Sequence, residues 1–162
     1  AGERVAVAGM VLDILWPARA LAESPENNAS IVALAHIPGQ PRELRVLLTG
    51  DVEPEAQSAV LGASRAARLG ATPPGPGAGG ADPVADLVKV PHHGSPHQVP
   101  GFVSWAGPRI ALVSVGQGND YGHPSAGTLA DYQRAGAEVG RTDRDGALAV
   151  LPGPAPALVR QR

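Results

Sequence analysis

The chain has 162 residues, a formal net charge of −2, 17% charged residues and no cysteine. That length suits one domain with a core of its own. The charge balance offers no basic excess for sequence-independent nucleic-acid binding, and the lack of thiols excludes disulfides and thiolate metal sites, which leaves imidazole and carboxylate for any metal. Aromatic residues make up 3% of the chain, which argues against stacking platforms for single-stranded bases. Neither an apolar run of about 18 residues nor a basic-then-apolar leader is present, so no membrane contact is expected from this segment. The opening Ala1-Gly2-Glu3 lacks an initiator Met and reads as a piece of something longer.

The first predicted elements are two short β-branched strands, Arg4 to Gly9 and Val11 to Trp16, forming a hairpin closed by Pro17. Asn27-Asn28-Ala29-Ser30 is a turn cluster, Ser30 to His36 a strand, Pro38 to Pro41 a turn, and Arg45 to Leu48 the next strand. A helix is expected from Glu53-Pro54 to about Leu69, with proline and acids in its first turn and Val60, Leu61, Ala67 and Leu69 on its apolar side. Residues 71–83 form a flexible loop rich in Pro and Gly, and Leu87 to Val90 is a strand. Phe102 to Trp105 is a helical turn, and Ile110 to Val115 is a strand apolar enough to be covered on both faces. Ser125 caps a helix, Ala126 to Ala135, that stops at Gly136. Ala137 to Val139 and Ala147 to Leu151 are the last strands, and Pro152 to Arg162 is a frayed tail. Paired strands followed by alternation with helices predict an α/β domain over residues 1–151 built on a mixed sheet.

The residues that suit chemistry stand at strand ends. Asp51 follows Thr49-Gly50, and two readings stay open for it: a cap for the helix after it, or a metal-binding carboxylate. His92 and His93 follow Val90-Pro91; in extended chain their rings would point to opposite faces, so that one ligates and the other supports it or meets substrate. His123, between Gly122 and Pro124, is a loop imidazole suited to contacting an anion or to proton transfer near neutral pH. His36 and His97 read as structural or solvent-exposed, and Arg141-Thr142-Asp143 as a surface ion pair. Gly116-Gln117-Gly118 lacks the strand-helix context and third glycine of a dinucleotide loop.

In order, Asn27-Asn28-Ala29-Ser30, Leu47-Leu48-Thr49-Gly50-Asp51, Leu87-Val88-Lys89-Val90-Pro91-His92-His93-Gly94-Ser95, Asn119-Asp120-Tyr121-Gly122-His123-Pro124 and Arg141-Thr142-Asp143-Arg144-Asp145-Gly146-Ala147 resemble the metallo-β-lactamase-like domain of the ComEC family of competence DNA-internalisation proteins. The resemblance runs from the first hairpin to about Leu151, and its most diagnostic pieces are the HHGS and NxYGHP segments. It implies an αββα sandwich, of which this is the C-terminal half, and metal-dependent hydrolysis of DNA phosphodiesters, with Zn or Mn as cofactor. Asp51 then matches the metal-bridging carboxylate and His92 the late His ligand, with His93 as the alternative. The resemblance also implies catalytic roles for Asp51, His92, His93 and His123, and substrate contacts for Ser95, Asn119, Tyr121 and His123.

The family's HxHxDH motif, which supplies most ligands of the two-metal site, has no counterpart in these 162 residues. The site is therefore expected to be incomplete and the chain weak or inactive alone. The partners implied are DNA, the missing N-terminal half or a second copy covering the exposed sheet face, and a parent channel in the bacterial cytoplasmic membrane. The alternatives are a non-catalytic module that keeps the fold without the metal, and a hydrolase of small phosphodiesters or lactam-like substrates, since one fold hosts many chemistries.

Overall fold

The computed structural model describes residues 1–18, 26–69 and 83–161. Among these, seven strands form one sheet in chain order: β1 (Arg4–Val7), β2 (Met10–Trp16), β3 (Val32–Ile37), β4 (Leu44–Leu48), β5 (Leu87–Lys89), β6 (Ile110–Val113) and β7 (Glu138–Arg141). β1 to β4 pair antiparallel, and β4 to β7 pair parallel. The parallel half requires crossovers, which α1 (Pro54–Leu69), α2 (Phe102–Ala106) and α3 (Ala126–Arg134) provide. The mixed α/β class expected from the alternation of elements is the one observed.

Neighbouring residues along the central strands separate the two faces. Leu47, Val88, Ala111 and Val113 pack with Ala56 and Val60 of α1, Phe102 and Ala106 of α2 and Tyr132 of α3. Val46, Leu87 and Ile110 belong to a second cluster with Ala35 and Leu44 on the other face. Right-handed crossovers between parallel strands put successive helices on one side, and here the helices share one core cluster.

The second face is where the structure corrects the sequence reading. Residues 152–162 do not form a frayed tail throughout: Ala157–Arg160 (β9) pairs antiparallel with Leu148–Leu151 (β8), and Val150 and Leu158 pack onto the second cluster. A Cβ at Gly140 of β7 would stand 2.9 Å from Leu158 Cδ2 and 3.1 Å from Leu148 Cδ1, so the hairpin lies against the sheet where glycine leaves room. The open sheet face expected of half a sandwich is accordingly closed at its centre, with Ala35, Leu44, Val46, Leu87 and Ile110 all buried within the chain. Alternation in four residues outweighs the prolines before them.

The starting ends of the parallel strands meet at one residue, Asp86. Asp86 accepts two hydrogen bonds from the Arg42 guanidinium (2.9 and 2.8 Å) and one from Arg45 N (2.9 Å). Its carbonyl accepts from Arg109 N and Ile110 N, which links β4, β5 and β6 at one point. His36 is bracketed by Asp13 and Glu43, with ring nitrogens 3.0 and 3.1 Å from their carboxylates. The expected loop at 71–83 lies almost wholly outside the described residues. No helix among the described residues is long and apolar enough to cross a membrane.

Candidate functional site

In open α/β sheets ligands bind outside the finishing ends of the parallel strands, and the candidate residues converge there. Asp51, His92, His93 and His123, from the segments after β4, β5 and β6, line one cavity of about 390 Å³ with Val115, Gly116, Asn119 and Tyr121.

Asp51 is placed by the turn cluster upstream of it. Gly50 has φ 56°, and a Cβ there would stand 2.6 Å from Ser30 Cβ, so only glycine admits this approach. Ser30 Oγ then accepts from Asp51 N (3.1 Å), Asn28 Oδ1 accepts from Glu53 N (3.0 Å), and Asn27 Nδ2 donates to Glu53 Oε1 (3.1 Å). The Asp51 carboxylate does not cap α1. Lys89 Nζ lies 3.0 Å from Oδ1 and His93 Nε2 lies 3.2 Å from Oδ2. Partial burial disfavours the charged form, but the Lys89 hydrogen bond and charge, with smaller contributions from His93 and His92, hold this carboxyl below its usual range.

The His pair is not extended, and this removes the expectation that its rings diverge. Pro91–Gly94 form a 3-10 turn in which His92 (φ 44°, ψ 53°) and His93 (φ 53°, ψ 20°) are both left-handed. Such backbone costs a side-chain-bearing residue about 1–2 kcal/mol, and strain of this kind concentrates at functional sites. It turns both rings into the cavity, with ring centroids 6.2 Å apart. The ring nearer Asp51 is His93, the alternative ligand, while His92 points toward Glu53. His93 Nδ1 lies 2.5 Å from Ser114 O, and because a carbonyl only accepts, Nδ1 carries the proton. Nε2 therefore meets the Asp51 carboxylate with a second proton or with a lone pair that a shared cation would satisfy.

His92 Nδ1 sits 3.4 Å from Glu53 Oε1, within ion-pair reach but not aligned for a hydrogen bond, and it is buried without a partner. The His123 ring stands edge-on to His92, with centroids 5.4 Å apart, and its Nδ1 is likewise buried and unpartnered. Burial, then the nearby charges of His92, His93 and His97, push the His123 imidazole below its usual range. Near neutral pH it is an uncharged ring rather than a fixed cation for phosphate.

The donor types fit a divalent ion such as Zn or Mn, both of which take imidazole and carboxylate. Two buried imidazole nitrogens without partners, and a carboxylate facing an imidazole, agree with that. The number falls short: among the described residues no three His, Asp or Glu side chains form a ready ligand group.

The chain is similar to ComE operon protein 3 of Bacillus subtilis, with 30% identity over 124 residues, or 76% of this chain. It spans 13% of that protein's length. No family model matches the chain, and no solved structure matches it.

The remaining expected site residues divide. Ser95 is buried (1% exposed) and does not line the cavity: its Oγ accepts from His97 N and its carbonyl from Thr128 Oγ1. Its burial and these bonds lend no support to a substrate contact and make it a lock between the HHGS turn and α3. Asn119 lines the cavity, but its Nδ2 closes its own loop by donating to His123 O (2.8 Å) and Gly116 O (3.3 Å). Tyr121 lines the cavity and is 86% exposed.

The Arg141-Thr142-Asp143 segment is more than a surface ion pair. Thr142 Oγ1 accepts from Val115 N (2.8 Å) and donates to Val115 O (2.7 Å), which anchors the loop that carries His123. Lys89 and Glu53 escape a reading by motif. For Lys89 the signal is a lone cation between Val88 and Val90, which marks a side chain directed away from the helical core.

Proposed function

We propose that this chain is part of a metal-dependent hydrolase domain of metallo-β-lactamase-like fold, acting on DNA phosphodiesters in connection with competence DNA uptake. The observation that carries this reading is the convergence of Asp51, His92, His93 and His123 on one cavity at the finishing ends of β4, β5 and β6. The motif resemblance to the ComEC family and the 30% identity to ComE operon protein 3 support the same reading. So does the sheet, whose mixed order and single helical layer suit one half of an αββα sandwich.

In this reading Asp51 and His93 would hold a divalent ion, with His92 lining the same cavity. Such an ion would supply an activated water and stabilise the charge that develops on the phosphoryl oxygens and the leaving group. His93 is kept in orientation by its Nδ1 proton on Ser114 O. His123, uncharged near neutral pH, accepts or returns a proton at the reacting phosphodiester. The ligands of an HxHxDH motif are not in this chain, so its own turnover is weak.

Titration calorimetry with Mn²⁺, together with cleavage of DNA in the same buffer, tests the reading. Ion binding that is lost in Asp51→Asn and weakened in His93→Ala is expected, with slow cleavage that follows ion occupancy. The second reading is a non-catalytic module, and it is favoured by Lys89, whose ammonium already neutralises Asp51. Absence of both ion binding and cleavage selects the module.

A further inference from the structure

Of the five aromatic side chains (one Phe, two Trp and two Tyr), Trp16, Phe102 and Tyr132 are buried and Trp105 packs against the helical core. Tyr121 is the outlier at 86% exposed. An exposed aromatic ring leaves a large apolar area in water. Its place is specific, because it lines the same cavity as Asp51, His92, His93 and His123.

The loop beneath it is fixed on both sides. Gly118 (φ 70°) and Gly122 (φ 72°) supply left-handed turns, the Asn119 amide donates to the carbonyls of Gly116 and His123, and Thr142 anchors Val115 at the loop's base. Gly94 and Pro124 are in near contact, which ties the loop to the HHGS turn. The ring therefore stands on a supported platform at the lip of the cavity rather than on a chain end.

We propose that Tyr121 is the base-stacking residue of the site, so that the substrate is a nucleic acid strand whose bases are unpaired and unstacked beside the reacting phosphate. The inference rests on the reading of the cavity as a phosphodiester site and adds the strandedness of the ligand. A planar ring recognises the face of a base, which every nucleobase has and which a continuous duplex covers with its neighbours. The net charge of −2 leaves little backbone attraction, so stacking carries a large share of binding. The scarcity of aromatics argues against a multi-base groove, and it agrees with a single stacked base.

The test measures binding by fluorescence anisotropy of the 162-residue chain to a short labelled oligodeoxyadenylate and to an abasic strand of equal length. The base-bearing strand is expected to bind more tightly, by roughly 5- to 100-fold. Tyr121→Ala should abolish that preference without changing affinity for the abasic strand, and Tyr121→Phe should retain it. An exposed side chain makes both variants suitable, and a thermal melt confirms that they fold.

Equal binding of the two strands by the unaltered chain, a base preference that survives Tyr121→Ala, or no binding of either strand overturns the proposal. Cleavage is scored separately. A base preference that depends on Tyr121 without ion-dependent cleavage supports the stacking inference and counts against the hydrolase reading. Cleavage that is indifferent to bases does the reverse.

Discussion

Lys89 Nζ stands 3.0 Å from Asp51 Oδ1 and 2.6 Å from Gly50 O, so the carboxylate best suited to a metal ion is already neutralised by an ammonium. A divalent ion held as proposed would compete with Lys89 for one oxygen. Lys89→Met is expected to raise Mn²⁺ affinity in titration calorimetry roughly fivefold, as removal of a like charge at close range is worth about 1 kcal/mol in water-like surroundings. Unchanged or weaker affinity would make Lys89 a support for Asp51 rather than a competitor.

Gly94 has φ 83°, and a Cβ there would lie 2.5 Å from Pro124 Cβ and 3.1 Å from Pro124 Cα. Gly122 has φ 72° with nothing within 4 Å. Alanine at either position carries the left-handed cost of about 1–2 kcal/mol, but at Gly94 it must also force two loops apart. Denaturant unfolding should therefore show Gly94→Ala as clearly more destabilising than Gly122→Ala. The Gly94 variant should also separate His123 from His92, seen as changed chemical shifts of both rings.

Burial of Asp86 disfavours its charge, yet the Arg42 hydrogen bonds, the Arg45 N–H and the two arginine charges hold its carboxyl below the usual range. A carboxyl with a depressed folded-state pKa contributes stability that is present above the unfolded value, near 3.8, and is lost as pH falls through the folded value. Asp86→Asn should cost about 1.5–3 kcal/mol near neutral pH through loss of charged hydrogen bonds. Its stability difference from the unaltered chain should shrink toward zero in acid, as followed by denaturant midpoints across pH.

His123 should titrate at a lower pH than a free imidazole when its ring protons are followed by NMR. Burial is the first cause and persists in variants that keep the loop. The His92 charge is the second, and so His92→Ala should move the midpoint partway back up. A midpoint at or above the ordinary histidine value of 6.5 would contradict the neutral ring assigned here.

Much of the fold is legible because local pattern and tertiary structure agree: Pro54 and Glu55 open α1, Ser125 Oγ accepts from Thr128 N at the start of α3, and Ile110–Val113 is a strand apolar on both faces. The misses share a cause. Pro91 and Gly94 announce a turn after β5, but nothing local gives His92 and His93 their left-handed backbone; contacts of Gly94 with Pro124 and of His93 with Ser114 do. Ser95 is fixed by Thr128, 33 positions away, which donates to its carbonyl. Ala157–Arg160 is too short a strand to stand out behind Pro152, Pro154 and Pro156, and it takes its register from Leu148–Leu151.

The clasp at Asp86 and the cavity at Asp51 lie at opposite ends of the same parallel strands, which divides the molecule's mutational tolerance. Substitutions around Tyr121, Asn119 and His123 act on a rim that contributes little to the anchoring of β4, β5 and β6. Changes at Arg42, Arg45 or Asp86 act on that anchoring and leave the rim's chemistry alone. An exposed rim residue such as Tyr121 can thus change while the clasp at Asp86 keeps the sheet's margin of stability.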